Sequence, residues 1–227
     1  MKGTSLLDEL YILPILLFSV VIHELSHGLM ALRCGDATAK QMGRITLNPI
    51  PHIDLIGSIV VPLFSLFATG RIFIAWAKPV PVNPLNFRHY RRDDILVSVV
   101  GPLSNLVVAL FCAICAVVFV NGSASLSNHL SPAVMDGLNF FVRMFYGGVY
   151  LNVILAVFNL IPIPPLDGSH VVASLLPERV GVQYRQVGFF GIFLVILLMR
   201  NASFSNFFGS IVSAIAVPFE IIIRAFI

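Results

Sequence analysis

Charge is what this chain has least of. Of its 227 residues only 11% are Asp, Glu, Lys or Arg, against about 25% in soluble globular domains. A soluble fold of this size could not cover its surface with so few charged side chains. Disorder is excluded by the same composition, because disordered chains are poor in apolar residues, and here 58% are hydrophobic. Cysteine is scarce too: Cys34, Cys112 and Cys115 are the three present, too few for a disulfide framework or a four-cysteine zinc cluster. Cys112 and Cys115, three apart in an apolar run, read as small packing residues of a helix. The net charge of +3 is too small to imply nucleic acid as a partner. What is abundant is hydrophobicity, with a mean hydropathy of +0.94. These numbers predict an all-α polytopic protein whose solvent is the lipid bilayer.

A bilayer-spanning helix needs about 20 mostly apolar residues. Runs at 6–32, 95–120, 137–161, 187–199 and 208–223 predict about five full spans. The first differs from a signal peptide, since Asp8 and Glu9 precede it and no small-x-small cleavage site follows. The run at 55–68 is shorter and broken by Pro62. With the proline- and aromatic-rich stretch after it, it predicts a re-entrant helix and extended hairpin around 53–88. No repeat, low-complexity tract or separate soluble domain is evident. The expectation is one membrane-embedded domain over 1–227, with a core at about 6–170 and accessory helices at about 187–226.

Residues 23–27 read His23-Glu24-Leu25-Ser26-His27. On a helix, positions i and i+4 share a face, so both imidazoles can reach one metal ion, with Glu24 beside it. Zinc lowers the pKa of its water to about 7 and makes hydroxide available at neutral pH. Composition alone would produce such a match with a frequency on the order of 0.3%. Two histidines and a glutamate inside an apolar helix are costly in lipid and call for a function. The competing reading is a polar contact between helices. A catalytic zinc has three protein ligands and one open position. Asp8, Glu9, Asp36, Asp93, Asp94, Asp136, Glu178 and Glu220 lie near segment ends or in polar stretches. Asp167 is the best third candidate: it follows the helix-breaking prolines 162, 164 and 165 in an otherwise apolar stretch. Its alternative role is a cap for the helix that begins there.

HELSH in the first span, GPLSN at 101–105 and NLIPIPPLDG at 159–168 together resemble the site-2 protease family of intramembrane zinc metalloproteases. LNPIPHID at 47–54 and WAKPVPVN at 76–83 resemble its compact subgroup without PDZ or CBS domains. The resemblance implies one Zn2+ per chain held by His23, His27 and Asp167, with Glu24 as general base. It implies that Asn159 faces the substrate carbonyl or its oxyanion. It also implies a substrate anchored in the membrane, cut within or near its transmembrane segment. Asn159, Asn105 and Asn152 each have the alternative of an interhelical hydrogen bond. His170 reads as a structural histidine, with the alternatives of a partner of the ligands or a spare ligand, and His52 and Asp54 read as loop-fixing residues, with a metal or substrate role as the alternative. Two other classes of function stand against the protease: a non-catalytic zinc-binding membrane protein (a pseudoprotease or chaperone), and a metal transporter. Glu24 is superfluous to mere metal holding, and transporters line a path with several polar sites, whereas here the polar residues converge on one.

The ligands can meet only if the chain crosses the bilayer an even number of times between His27 and Asp167. The runs at 95–120 and 137–161 supply two crossings, so 55–68 is expected to enter and return. Positive charge agrees. With the N-terminus outside, Arg33, Lys40, Arg44, Arg71, Lys78, Arg88, Arg91, Arg92, Arg179, Arg185 and Arg224 fall inside, eleven of the fourteen Lys and Arg. Lys2, Arg143 and Arg200 fall outside. This predicts a multi-pass protein of a prokaryotic plasma (inner) membrane, with its active site toward the cytoplasm. The β-prone stretch 72–82 is expected to clamp an unwound substrate, its alternative being an amphipathic loop on the membrane surface.

Overall fold

The computed structural model describes residues 10–60, 77–126 and 131–226. Among them the regular structure is helical throughout: α1 Leu13–Cys34, α2 Thr38–Gln41, α3 Tyr90–Leu126, α4 Pro132–Asn159, α5 Asp167–Leu175, α6 Glu178–Arg185, α7 Gly191–Arg200 and α8 Ala202–Ala225. A π-helical segment, Leu55–Val60, is the described part of the expected re-entrant run. Residues 61–76, with most of that run and the first half of the expected clamp, lie outside the described residues.

Four helices, α1, α3, α4 and α8, are long and apolar enough to cross a membrane. The fifth expected span is α7, with ten residues. At 1.5 Å per residue it rises about 15 Å, half of a bilayer's hydrocarbon thickness. The span expected at 95–120 is longer than its apolar run. Its helix begins at Tyr90 and takes Arg91, Arg92, Asp93 and Asp94 into its first turns.

Helix α3 is the central element and packs on α1, α4, α5 and α8. Its inner face carries Ala109, Cys112, Ala113 and Ala116, all fully buried. Small side chains let helices approach closely in lipid, where hydrophobicity does not drive helix against helix. The fit against α4 is tight: a Cβ on Gly148 would stand 2.9 Å from the Cys112 sulfur. The cysteine pair thus has the packing role read from its spacing at Cys112. On the opposite face Leu103, Val107, Leu110, Ile114 and Val118 are exposed, a helical stripe suited to acyl chains.

Helix α8 runs antiparallel to α4. Val212 packs with Val153 and Val157, and Ile223 with Met144 and Val149. The Tyr150 hydroxyl donates to Glu220, which also accepts from Arg224 at 3.1 Å. At its end the Phe226 carbonyl accepts from the Asn121 amide at 2.7 Å, near the close of α3. This corrects one expectation. Arg224 lies at the Asn121 end of the bundle, and Arg200 at the end where α4 closes at Asn159. The reason is that α7 is too short to return the chain across the bilayer.

Helix α1 stops at Gly35, whose φ of 112° belongs to the left-handed region open to glycine. The Gly35 and Asp36 amides cap the helix through the carbonyls of Leu32 and Ala31. Asp36 is then fully buried. Its carboxylate accepts from Thr38, from the Asn86 side chain and from the Asn83 amide. Burial by itself would raise its pKa, but these hydrogen bonds outweigh burial and hold it below the usual carboxylate value. The result pins 83–86 against the end of α1.

Candidate metal centre

His23 and His27 lie one turn apart on α1, deep in a span of 22 residues. Both are buried, at 8% and 9% exposure. Their second ring nitrogens are held by α3. His27 Nδ1 donates to the Val97 carbonyl at 2.7 Å, and His23 Nδ1 meets Asn105 Oδ1 at 2.9 Å. A carbonyl oxygen can only accept, so the proton of His27 sits on Nδ1. The same holds for His23 with Asn105 presenting its oxygen. In the neutral form of each ring, Nε2 then presents its lone pair.

Between these two anchors lies Gly101. Residues 97, 101 and 105 are spaced by four, so they form one stripe on α3 that faces the i, i+4 pair of α1. The helices run antiparallel at this point, with 97 beside 27 and 105 beside 23. A Cβ on Gly101 would fall on the His27 ring and against the His23 ring. Glycine is needed here for close approach.

The third group arrives from α5. After α4 ends at Asn159, the proline-rich turn brings Asp167 to the start of α5. Its Oδ2 lies 3.2 Å from His23 Nε2 and 3.3 Å from His27 Nε2, while the two Nε2 atoms are 3.0 Å apart. Asp167 opens its helix but its side chain caps nothing, which sets aside the capping alternative. Its buried Oδ2 has no hydrogen-bond partner among the described residues. Three such acceptor atoms repel one another unless a proton or a metal cation stands between them. A tetrahedral zinc with bonds of about 2.0–2.1 Å places its ligand atoms about 3.3 Å apart. Two nitrogens and one carboxylate oxygen are the donor set of a zinc with an open fourth position. The residues fit the ion.

A model of peptidase family M50 matches residues 88–199, a range that contains Gly101, Asn105, Asn159 and Asp167 but not the His23–His27 motif. "Putative zinc metalloprotease YwhC" of Bacillus subtilis (strain 168) is 35% identical over 196 residues, covering 86% of this chain and 83% of the relative. The chain belongs to peptidase family M50. As an M50 protein it is a zinc-dependent membrane metalloprotease of the site-2 protease family. Two further relatives carry the name "Putative zinc metalloprotease Rip2". The one from Mycolicibacterium smegmatis is 26% identical and the one from Mycobacterium tuberculosis (strain H37Rv) 28%, with 86% and 85% of this chain and 69% and 68% of those relatives covered. No solved structure matches this chain.

The remaining candidates of this M50 chain divide clearly. Glu24 accepts a hydrogen bond from the Val80 amide at 2.7 Å. Asn159 turns its amide back on its own helix, donating to the Leu155 carbonyl at 3.0 Å, and does not touch the three ligand atoms. Asn152 likewise donates to the Gly148 carbonyl at 2.8 Å. His170 faces Asp94 at 3.5 Å and is outside the ligand group. His52 contacts the Thr46 carbonyl at 3.1 Å, and Asp54 accepts from the Gly57 amide at 2.6 Å, both as loop-fixing contacts. Sequence reasoning missed that Val97, Gly101 and Asn105 act as one stripe. The signal was available in their spacing of four, equal to that of the two histidines.

Proposed function

We propose that this protein is an intramembrane endopeptidase that hydrolyses a peptide bond within or near the transmembrane segment of a membrane-anchored protein. One observation carries the reading: two imidazole nitrogens and one carboxylate oxygen converge within 3.3 Å of one another inside a span, with Glu24 next to His23 in the chain. We assign His23, His27 and Asp167 as ligands of one zinc ion. Bound there, zinc supplies a Lewis acid for the scissile carbonyl and raises the acidity of a water beside it.

The chain's own residues do the rest. Val97 and Asn105 hold the two rings in the tautomer that presents Nε2. Glu24 takes the proton of the attacking water and returns it to the leaving amine. Asn159, once released from the Leu155 carbonyl, offers its NH2 to the developing oxyanion. The substrate must be extended at the cut, because a helix shields its amides. Residues 72–82 are proposed to hold it so, and the prolines at 79 and 81 favour extended backbone for 77–82. The catalytic core is assigned to about 6–170 in a single domain, with accessory helices beyond 187. A prokaryotic plasma membrane, with the N-terminus outside and the site toward the cytoplasm, accords with the basic residues of 33–94.

The decisive variant is Glu24→Gln in proteoliposomes with a membrane-anchored reporter substrate. Zinc content should stay at one per chain while cleavage falls by about 10²–10⁴. Undiminished cleavage would remove Glu24 as the base. Cleavage and zinc lost together would make it structural.

A further inference from the structure

Residues 78–82 read Lys-Pro-Val-Pro-Val. Proline has no amide hydrogen, so Val80 carries the single N–H between residues 79 and 81. That one donor points at Glu24 Oε2, at 2.7 Å. The segment is fixed on both sides of it. The Lys78 amide donates to the His52 carbonyl at 2.9 Å. The Arg44 guanidinium donates to the carbonyls of Lys78 and Pro79 at 2.8 and 3.3 Å. The Val80 side chain is buried against Gly28, where a Cβ would stand 3.1 Å from Val80 Cγ1. Gly28 follows Glu24 by four residues, so both face the same way from α1. Val80 therefore spans that face, its isopropyl group over Gly28 and its amide on the carboxylate.

We propose that the Val80 main-chain amide is a positioning group for the general base. It fixes one oxygen of Glu24 by a charge-assisted hydrogen bond and leaves Oε1 as the oxygen that takes the proton. The same segment is the one assigned above to hold the substrate, so the residues that seat an extended chain also hold the base in place. The inference rests on the reading of Glu24 as base.

The test deletes one hydrogen. Val80→Pro removes the amide donor in a segment already shaped by proline. A Val80 ester, made by incorporating the α-hydroxy acid analogue of valine, removes the N–H and keeps the side chain. Val80→Ala keeps the N–H and trims the side chain. In zinc-loaded proteoliposomes the proline and ester variants should lose kcat about ten- to a hundredfold, with KM and zinc content held. Their kcat should fall about tenfold below that of the alanine variant. Should Val80→Pro lose its zinc, the ester decides. An ester with the kcat of the native chain overturns the proposal, as does an alanine variant as slow as the ester. Glu24→Gln in the same assay separates the two failures: active, it sinks the base itself; inactive beside a fully active ester, it sinks the amide alone.

Discussion

At His23 and His27 the nitrogen turned away from the ligand centre decides what the other can do. Each Nδ1 is engaged by α3, so each ring is locked as a donor on one side and a lone pair on the other. The ring planes stand at 82° with centroids 4.6 Å apart, an arrangement that only a side-chain-free neighbour admits. Gly101→Ala should therefore cost about 1–3 kcal/mol of overpacking, felt as a zinc affinity lowered roughly ten- to a hundredfold. Asn105→Ala should lower it by about as much, since partners of a ligating histidine are worth 10–100-fold. Zinc retained against a graded series of chelators measures both. An alanine at 101 that binds zinc as tightly as glycine would show that α3 can back away without cost.

Between elements, Asp94 is the joint that sets where Asp167 stands. It is buried near the start of α3, and its Oδ2 accepts from Ser174 of α5 at 2.5 Å and Arg185 of α6 at 2.8 Å. The guanidinium also lies over the Tyr90 ring, 5.7 Å from its centroid. Gly181 seats α6 on α5, where a Cβ would meet the Ala173 carbonyl at 2.6 Å. The two halves of the ion pair are unequal. Asp94 is 5% exposed and Arg185 25%, so an unpaired arginine can hydrate more readily than the carboxylate. Arg185→Ala leaves the buried carboxylate with Ser174 and His170 and should cost about 2–3 kcal/mol, and Asp94→Asn, which keeps its shape and some hydrogen bonding, roughly 1–2 kcal/mol. Thermal unfolding in detergent should show that order, and zinc affinity should fall with it as α5 loosens. The reverse order would place the strain on the arginine side.

On the scale of the whole molecule, the four helices long and apolar enough to cross a membrane put both ends of the described bundle on one side. Arg224 joins Asn121 there, and Arg200 joins the basic residues described in 33–60 and 77–94. The exchange leaves the charge asymmetry intact, because one arginine takes the other's place on the basic face. Labelling with an impermeant maleimide, in a chain whose three cysteines are replaced by serine, measures it. Asn121→Cys and Arg224→Cys should label together from one side of the membrane, and Lys40→Cys and Arg200→Cys from the other. Arg224→Cys labelling with Lys40→Cys would restore a fifth crossing.

The membrane class, four of the spans and the histidine pair were legible because each rests on local pattern: apolar run length, and an i, i+4 spacing that any helix converts into a shared face. Asp167 could be singled out because an acid after three prolines in an apolar stretch has few other reasons to exist. What folding alone decided is how these pieces face one another. The direction of α8 depends on α7 being too short to cross, which apolar run length near its limit does not reveal. The Val97–Gly101–Asn105 stripe matters only once α3 lies antiparallel to α1. The Val80 amide reaches Glu24 through a contact 56 residues apart in sequence, made by a backbone hydrogen that every residue but proline carries and no pattern marks.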